Sequence, residues 1–137
     1  EHKYEGNILG FENKEYREYI LYFPLYIGVE ELEIGIDKDA IIKPYVFKNK
    51  TKVGIYGTSI TQGCSASQSG LAYPNIISRT LDVEVFNFGF SGSANLEVPL
   101  AGILANRHVD ILVMDVEPNC GMNEILKERL EMFLEKY

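Results

Sequence analysis

The sequence has 137 residues, 46% apolar and 24% charged, which excludes collagen-like, low-complexity and wholly disordered chains and amounts to about one domain. No stretch approaches the roughly 18 consecutive apolar residues of a membrane span, and Glu1-His2-Lys3-Tyr4-Glu5 lacks the apolar run of a signal peptide; the compartment stays unassigned. Thirteen Lys/Arg against twenty Asp/Glu give a net charge of −7, a poor balance for binding nucleic acid or an anionic membrane. Two cysteines, Cys64 and Cys120, make neither a metal-ligand set nor a disulfide framework, so neither metal nor cofactor is expected.

Residues 1–47 read as strands. Tyr19-Ile20-Leu21-Tyr22-Phe23 is aromatic and β-branched and stops at Pro24, while Leu32-Glu33-Ile34-Gly35-Ile36-Asp37 alternates strictly, with its apolar residues on one face. So short a segment cannot enclose a core alone and must lean on something else. Lys48-Asn49-Lys50-Thr51-Lys52 reads as a linker.

From Val53 the pattern becomes strand, loop, helix, three times over. The strands are predicted at Val53–Tyr56, Val83–Phe88 and Ile111–Val116. The helices are predicted at about Ala72–Leu81, Asn95–Asn106 and Asn123–Lys136, with Pro74 tolerable in the first turn of its helix. Alternating β and α units of this length predict an α/β fold, a parallel sheet with crossover helices. Three strands are few for such a sheet, where about five are usual.

In an open parallel sheet, ligands bind beyond the carboxyl ends of the strands. The three loops there are Gly57-Thr58-Ser59-Ile60-Thr61-Gln62-Gly63, Asn87-Phe88-Gly89-Phe90-Ser91-Gly92 and Glu117-Pro118-Asn119-Cys120-Gly121. The first has five residues between its glycines and no following Lys, so it is not a P-loop. It lacks Gly-x-Gly-x-x-Gly for a dinucleotide. Thr61 stands where a Gly-x-Ser-x-Gly elbow needs Gly. A hydroxyl-rich phosphate cradle made by Thr58, Ser59 and Thr61 stays open, and with it a non-catalytic α/β module that binds phosphate or sugar. The other reading makes Ser59 a nucleophile. Its N–H, the Gly92 N–H and the Asn119 side-chain amide would then converge on one oxyanion, each donor worth about 10² to 10³ in rate.

Taken together these three blocks resemble the SGNH (GDSL-like) hydrolases over about residues 52–137. Ser59 falls in that family's nucleophile position, Gly92 in that of the glycine oxyanion donor and Asn119 in that of the amide donor. Asp115-Val116-Glu117-Pro118-Asn119 resembles the third block. The resemblance implies a three-layer, flavodoxin-like parallel sheet and a serine ester hydrolase without cofactor or metal. Leu21–Leu32 resembles the tail of the β-sandwich domain that precedes the catalytic domain in one branch, a branch associated with esters of acylated carbohydrates. Residues 1–47 are therefore expected to be the last strands of a β-sandwich, 48–52 the linker, and 53–137 the α/β domain. Thr58 replaces the more frequent Asp beside the nucleophile, and Glu117 stands where many members have Gly.

The family's fourth block, Asp-x-x-His, which supplies the general base and the group that orients it, has no match in the sequence. The histidines are His2 and His108. His108 precedes the third strand, at the opposite end of the sheet from Ser59, and neither histidine serves as the base. The chain is therefore expected to be the first three β/α units of a longer enzyme and, alone, nearly inert towards esters. Partners are expected to be a small-molecule or carbohydrate ester, with exposed sheet edges open to pairing with another chain. Thr58 and Thr61 are expected to be structural hydrogen-bonders, Cys64 and Cys120 free thiols, and Tyr16, Tyr19, Tyr22 and Tyr26 strand-packing residues.

Overall fold

The structure, a computed structural model, describes Gly6, residues 15–121 and residues 124–137. His2 and the expected helix start at Asn123 lie outside the described residues. The elements are β1 (Asn49–Gly57), α1 (Ser59–Gln62), a 3₁₀ turn (Ser69–Leu71), α2 (Tyr73–Leu81), β2 (Val83–Gly89), α3 (Val98–Ala105), β3 (Ile111–Asp115), α4 (Glu117–Cys120) and α5 (Ile125–Lys136). The strands form one parallel sheet in the order β2-β1-β3, so the α/β expectation holds.

Each helix starts and stops for a local reason. Pro74 and Pro99 sit in the first turns of α2 and α3, where a missing N–H costs nothing. Asp82, at φ +50°, caps α2 in the left-handed region, and its N–H reaches the Ser78 carbonyl. The chain moves from β1 to β2 in one direction and from β2 across to β3 in the other. The right-handed crossover rule therefore puts α2 and α3 on opposite faces. The main core lies on the face of Tyr56, where Ala94, Leu96, Ala101, Leu104, Val116, Cys120 and Phe133 are buried together. Tyr56 stacks on Phe133 of α5, with ring centroids 5.2 Å apart. Leu112 and Met114 of β3 pack on that core. Ile111 and Val113, which alternate with them, stay about half exposed; on that face α2 lies against β2.

Three expectations are corrected. Tyr19–Phe23 and Leu32–Asp37 form no strand, and residues 15–48 contain no helix and no strand. Alternation only sorts side chains to two faces; a strand also needs a neighbour for its ladder and a core for its apolar face. Leu32, Ile34 and Ile36 are all exposed. Secondly, Asn49–Lys52, expected in the linker, is the first part of β1, with a register irregularity between Asn49 and Lys52. The Asn49 N–H bonds the Asp82 carbonyl at 3.1 Å and the Lys52 N–H bonds Asp110 Oδ2 at 2.7 Å. Thirdly, two of the loops contain single helical turns, α1 and α4.

Candidate active site

The registers place the carboxyl ends of the strands side by side: Gly57 pairs with Gly89 on one side and with Asp115 on the other. Ser59, Gly92 and Asn119 follow these three residues by two, three and four positions, so all three lie at one edge of the sheet. The chain after β1 leaves toward α2, while that after β3 leaves toward α5, which packs with α3 on the other face. Adjacent loops that diverge to opposite faces open the crevice where α/β proteins bind ligands. Ser59 and Asn119 stand in these two diverging loops, both half-buried, and Gly92 is exposed.

Ser59 opens α1, and this short turn is seated directly on the strand ends. A Cβ on Gly89 would run into the backbone nitrogen of Gln62, and one on Gly57 into the Thr61 hydroxyl. Both strand ends are therefore glycine because α1 lies against them. Asn87 joins the parts: its amide donates to the Thr61 carbonyl at 2.9 Å and its oxygen accepts the Gly89 N–H at 2.9 Å. Gln62 Oε1 accepts the Ser91 N–H at 2.7 Å, and its amide donates to the Leu25 carbonyl at 3.1 Å. The segment before the sheet thus reaches the α1 turn that begins at Ser59.

Beneath Ser59, the Thr61 hydroxyl, the Tyr73 hydroxyl and Asp115 Oδ2 close a triangle with every side 2.9 Å. Burial raises the Tyr73 pKa; the Thr61 hydroxyl pulls the other way and the Asp115 carboxylate adds to the rise, for a value of about 12. The Thr61 expectation is met. Thr58 differs: it is buried, and among the described residues its Oγ1 is the buried side-chain polar atom without a hydrogen-bond partner.

The second and third loops are joined behind the crevice. The Asn119 side-chain amide donates to the Ser93 carbonyl, and the Cys120 thiol to the Ala94 carbonyl at 3.3 Å. An amide carries two N–H donors, so one of Asn119's is left to point elsewhere. Gly92 has φ +70°, and a Cβ there would meet nothing within 4 Å; backbone conformation, not crowding, requires glycine. Cys64 and Cys120 are free thiols, the first exposed and the second buried. Burial, with Glu97 second, raises the Cys120 pKa, which makes it a poor nucleophile at neutral pH.

His108 is exposed and sits three residues before β3, at the far edge of the sheet. Five residues of strand separate the two edges by about 16 Å, against the roughly 3 Å a general base requires.

Residues 50–136 match the family described as GDSL-like lipase/acylhydrolase. The chain belongs to that family. Residues 1–42 match the N-terminal region of SGNH-hydrolase-type esterases. A similar solved structure is a crystal structure described as a GDSL-like lipase from Bacteroides ovatus ATCC 8483, 36% identical with a TM-score of 0.74. The match covers 84% of this chain and 34% of that protein, so the chain spans about a third of that relative's length. No curated protein matches the chain. The resemblance seen in the three loop blocks is thus to the family to which the chain belongs, and the family's name carries acylhydrolase chemistry.

The sequence alone missed the residues that hold the edge together. Gln62, Asn87 and Asp115 stand within the family blocks, which was a signal. Tyr73 and Glu97 gave none, because their partners are 42 and 41 positions away.

Proposed function

We propose that the chain is the nucleophile-bearing part of a serine ester hydrolase. Ser59 Oγ attacks the ester carbonyl carbon and the carbonyl oxygen becomes an oxyanion. The Ser59 and Gly92 N–H groups and the free N–H of Asn119 receive it. The leaving alcohol departs as the intermediate collapses to an acyl-serine, which water then hydrolyses. The observation that supports this reading is the alignment of Gly57, Gly89 and Asp115, which brings the loops that carry Ser59, Gly92 and Asn119 to one edge of the sheet.

The proton of Ser59 needs an acceptor, and His108 is at the wrong edge. The base and its orienting carboxylate are accordingly assigned to residues outside this sequence, in keeping with the third of the relative's length that the chain spans. Residues 1–47 are read as the end of a β-sandwich domain, and residues 15–47, which form no strand here, would find their ladder only with strands outside this sequence. That reading accounts for the apolar alternation of Leu32, Ile34 and Ile36 without a ladder. The substrates are read as esters on acylated carbohydrates, which is what the resemblance to the sandwich-bearing branch implies; the match of residues 1–42 to an SGNH-type esterase N-terminus supports the branch and names no substrate.

Hydrolysis of an aryl acetate tests the assignment. In a serine protease that works through such a base, losing the His alone costs about 10⁶ in kcat, so the 137-residue chain should be close to inert and the full gene product active. Brisk turnover by the 137-residue chain, abolished by Ser59→Ala, would overturn the external base.

A further inference from the structure

We infer that Glu97, together with Tyr56, is the positioning residue of the oxyanion loop: one carboxylate fixes where Gly92 and Asn119 stand. The inference rests on the oxyanion reading above. Both oxygens of Glu97 are engaged. The Ser93 hydroxyl donates to Oε1 at 2.7 Å; the Tyr56 hydroxyl and the Asn95 N–H donate to Oε2 at 2.7 and 3.0 Å. Tyr56 Oη in turn accepts the Leu96 N–H at 3.2 Å. Residues 93, 95 and 96 are thereby tied to a phenol–carboxylate pair rooted in the central strand.

This anchoring answers a specific need. Ala94 and Leu96 are buried, non-glycine and left-handed, with φ of +63° and +55°. Such residues persist only where the surroundings over-determine them. The Arg129 guanidinium on the Asn95 carbonyl at 3.0 Å and Cys120 on the Ala94 carbonyl complete the hold. Gly92 has no side chain to fix it, and Asn119 is bound to the carbonyl of Ser93, the next residue. Movement at Ser93 therefore moves both donors. At its other end the loop is tied to the nucleophile side, through the Phe90 N–H to the Gly57 carbonyl at 2.8 Å and the Ser91 N–H to Gln62. Glu97 thus sets the gap between Ser59 and the other two donors without touching substrate.

The test is nuclear magnetic resonance of the ¹⁵N-labelled chain, following the Gly92 amide and the Asn119 side-chain amide from about pH 7 to about pH 3. The ionisable groups facing Glu97 are Tyr56, Cys120 and Arg129, whose ordinary pKa values all lie above that range. Both signals should move together through one carboxylate midpoint. In Glu97→Gln that step should vanish and both signals should be displaced already at neutral pH, while the β1 amides Val53–Tyr56 stay in place. Gly92 and Asn119 signals unchanged in Glu97→Gln would overturn the inference. If Glu97→Gln does not fold, Tyr56→Phe takes its place, with the same displacement expected and the same null result decisive. Collapse of both variants would also overturn it, because the pair would then support the whole domain and not this loop. In the full gene product, Glu97→Gln should lower kcat by about 10²-fold, the cost of a misplacement on the order of 1 Å, with KM little changed. The resonance readout involves no turnover, so it can stand if the ester chemistry fails, and the Ser59→Ala assay can succeed if the positioning fails.

Discussion

Asn119, in the turn after β3, donates its side-chain amide to the carbonyl of Ser93, in the loop after β2. One side chain therefore joins two of the three loops at the carboxyl edge of the sheet, and in the proposed mechanism it keeps a second N–H for the oxyanion. Asn119→Ala removes both functions. The chain should lose about 1 kcal/mol of stability, the ordinary net worth of a hydrogen bond, read as a lower urea midpoint. Ester hydrolysis by the full gene product should fall further than that, by about 10² to 10³ in kcat. Equal small losses in both would mean that the amide only braces the loop.

Gly89 supports the opposite side of the crevice. An added methyl group would meet the Gln62 backbone, and backbone cannot swing aside as a side chain can. Gly89→Ala should force α1 off the strand ends, at a cost of about 1–3 kcal/mol, and disturb the Asn87 bridge to Thr61. Calorimetry of this variant beside Gly102→Ala makes a clean comparison: a Cβ on Gly102 meets only Lys136 Cε, at 3.5 Å, and that substitution should be tolerated.

The parallel sheet and its strand ends were legible in the sequence because periodicity reports burial. Val83–Phe88 and Ile111–Val116 are short, mostly apolar and β-branched or aromatic segments, and both became strands within a residue of the expected limits. The same signal misled at Leu32–Asp37, where alternation specifies faces but cannot supply a partner strand. Ser59, Gly92 and Asn119, which the registers bring to one edge of the sheet, were singled out from local patterns. Their supports were not, because Glu97 reads as an ordinary acidic residue near a helix start until Tyr56, 41 positions away, is folded against it. Local sequence carries turn chemistry; long-range hydrogen bonds leave no periodic trace.

Tyr73 gives a prediction in alkali. An unfolded tyrosine loses its proton near pH 10, whereas folded Tyr73 keeps it until about 12. The unfolded chain therefore binds fewer protons between those values, and stability falls as pH rises. The contribution is fully present below pH 10 and is lost as pH rises through about 12. Urea midpoints should drop between about pH 9 and about pH 11.5, and less so in Tyr73→Phe. Tyr56, raised by burial first and by its bond to Glu97 second, adds to the same slope. A slope unchanged in Tyr73→Phe would show that its hydroxyl is not the group responsible.

The assignment of Ser59 as nucleophile is tested most directly by treating the full gene product with an alkyl fluorophosphonate and mapping the adduct by peptide mass spectrometry. The proposed mechanism predicts one phosphonyl group, on Ser59, absent from Ser59→Ala. An adduct on another residue, or no adduct while the protein still hydrolyses esters, would contradict it.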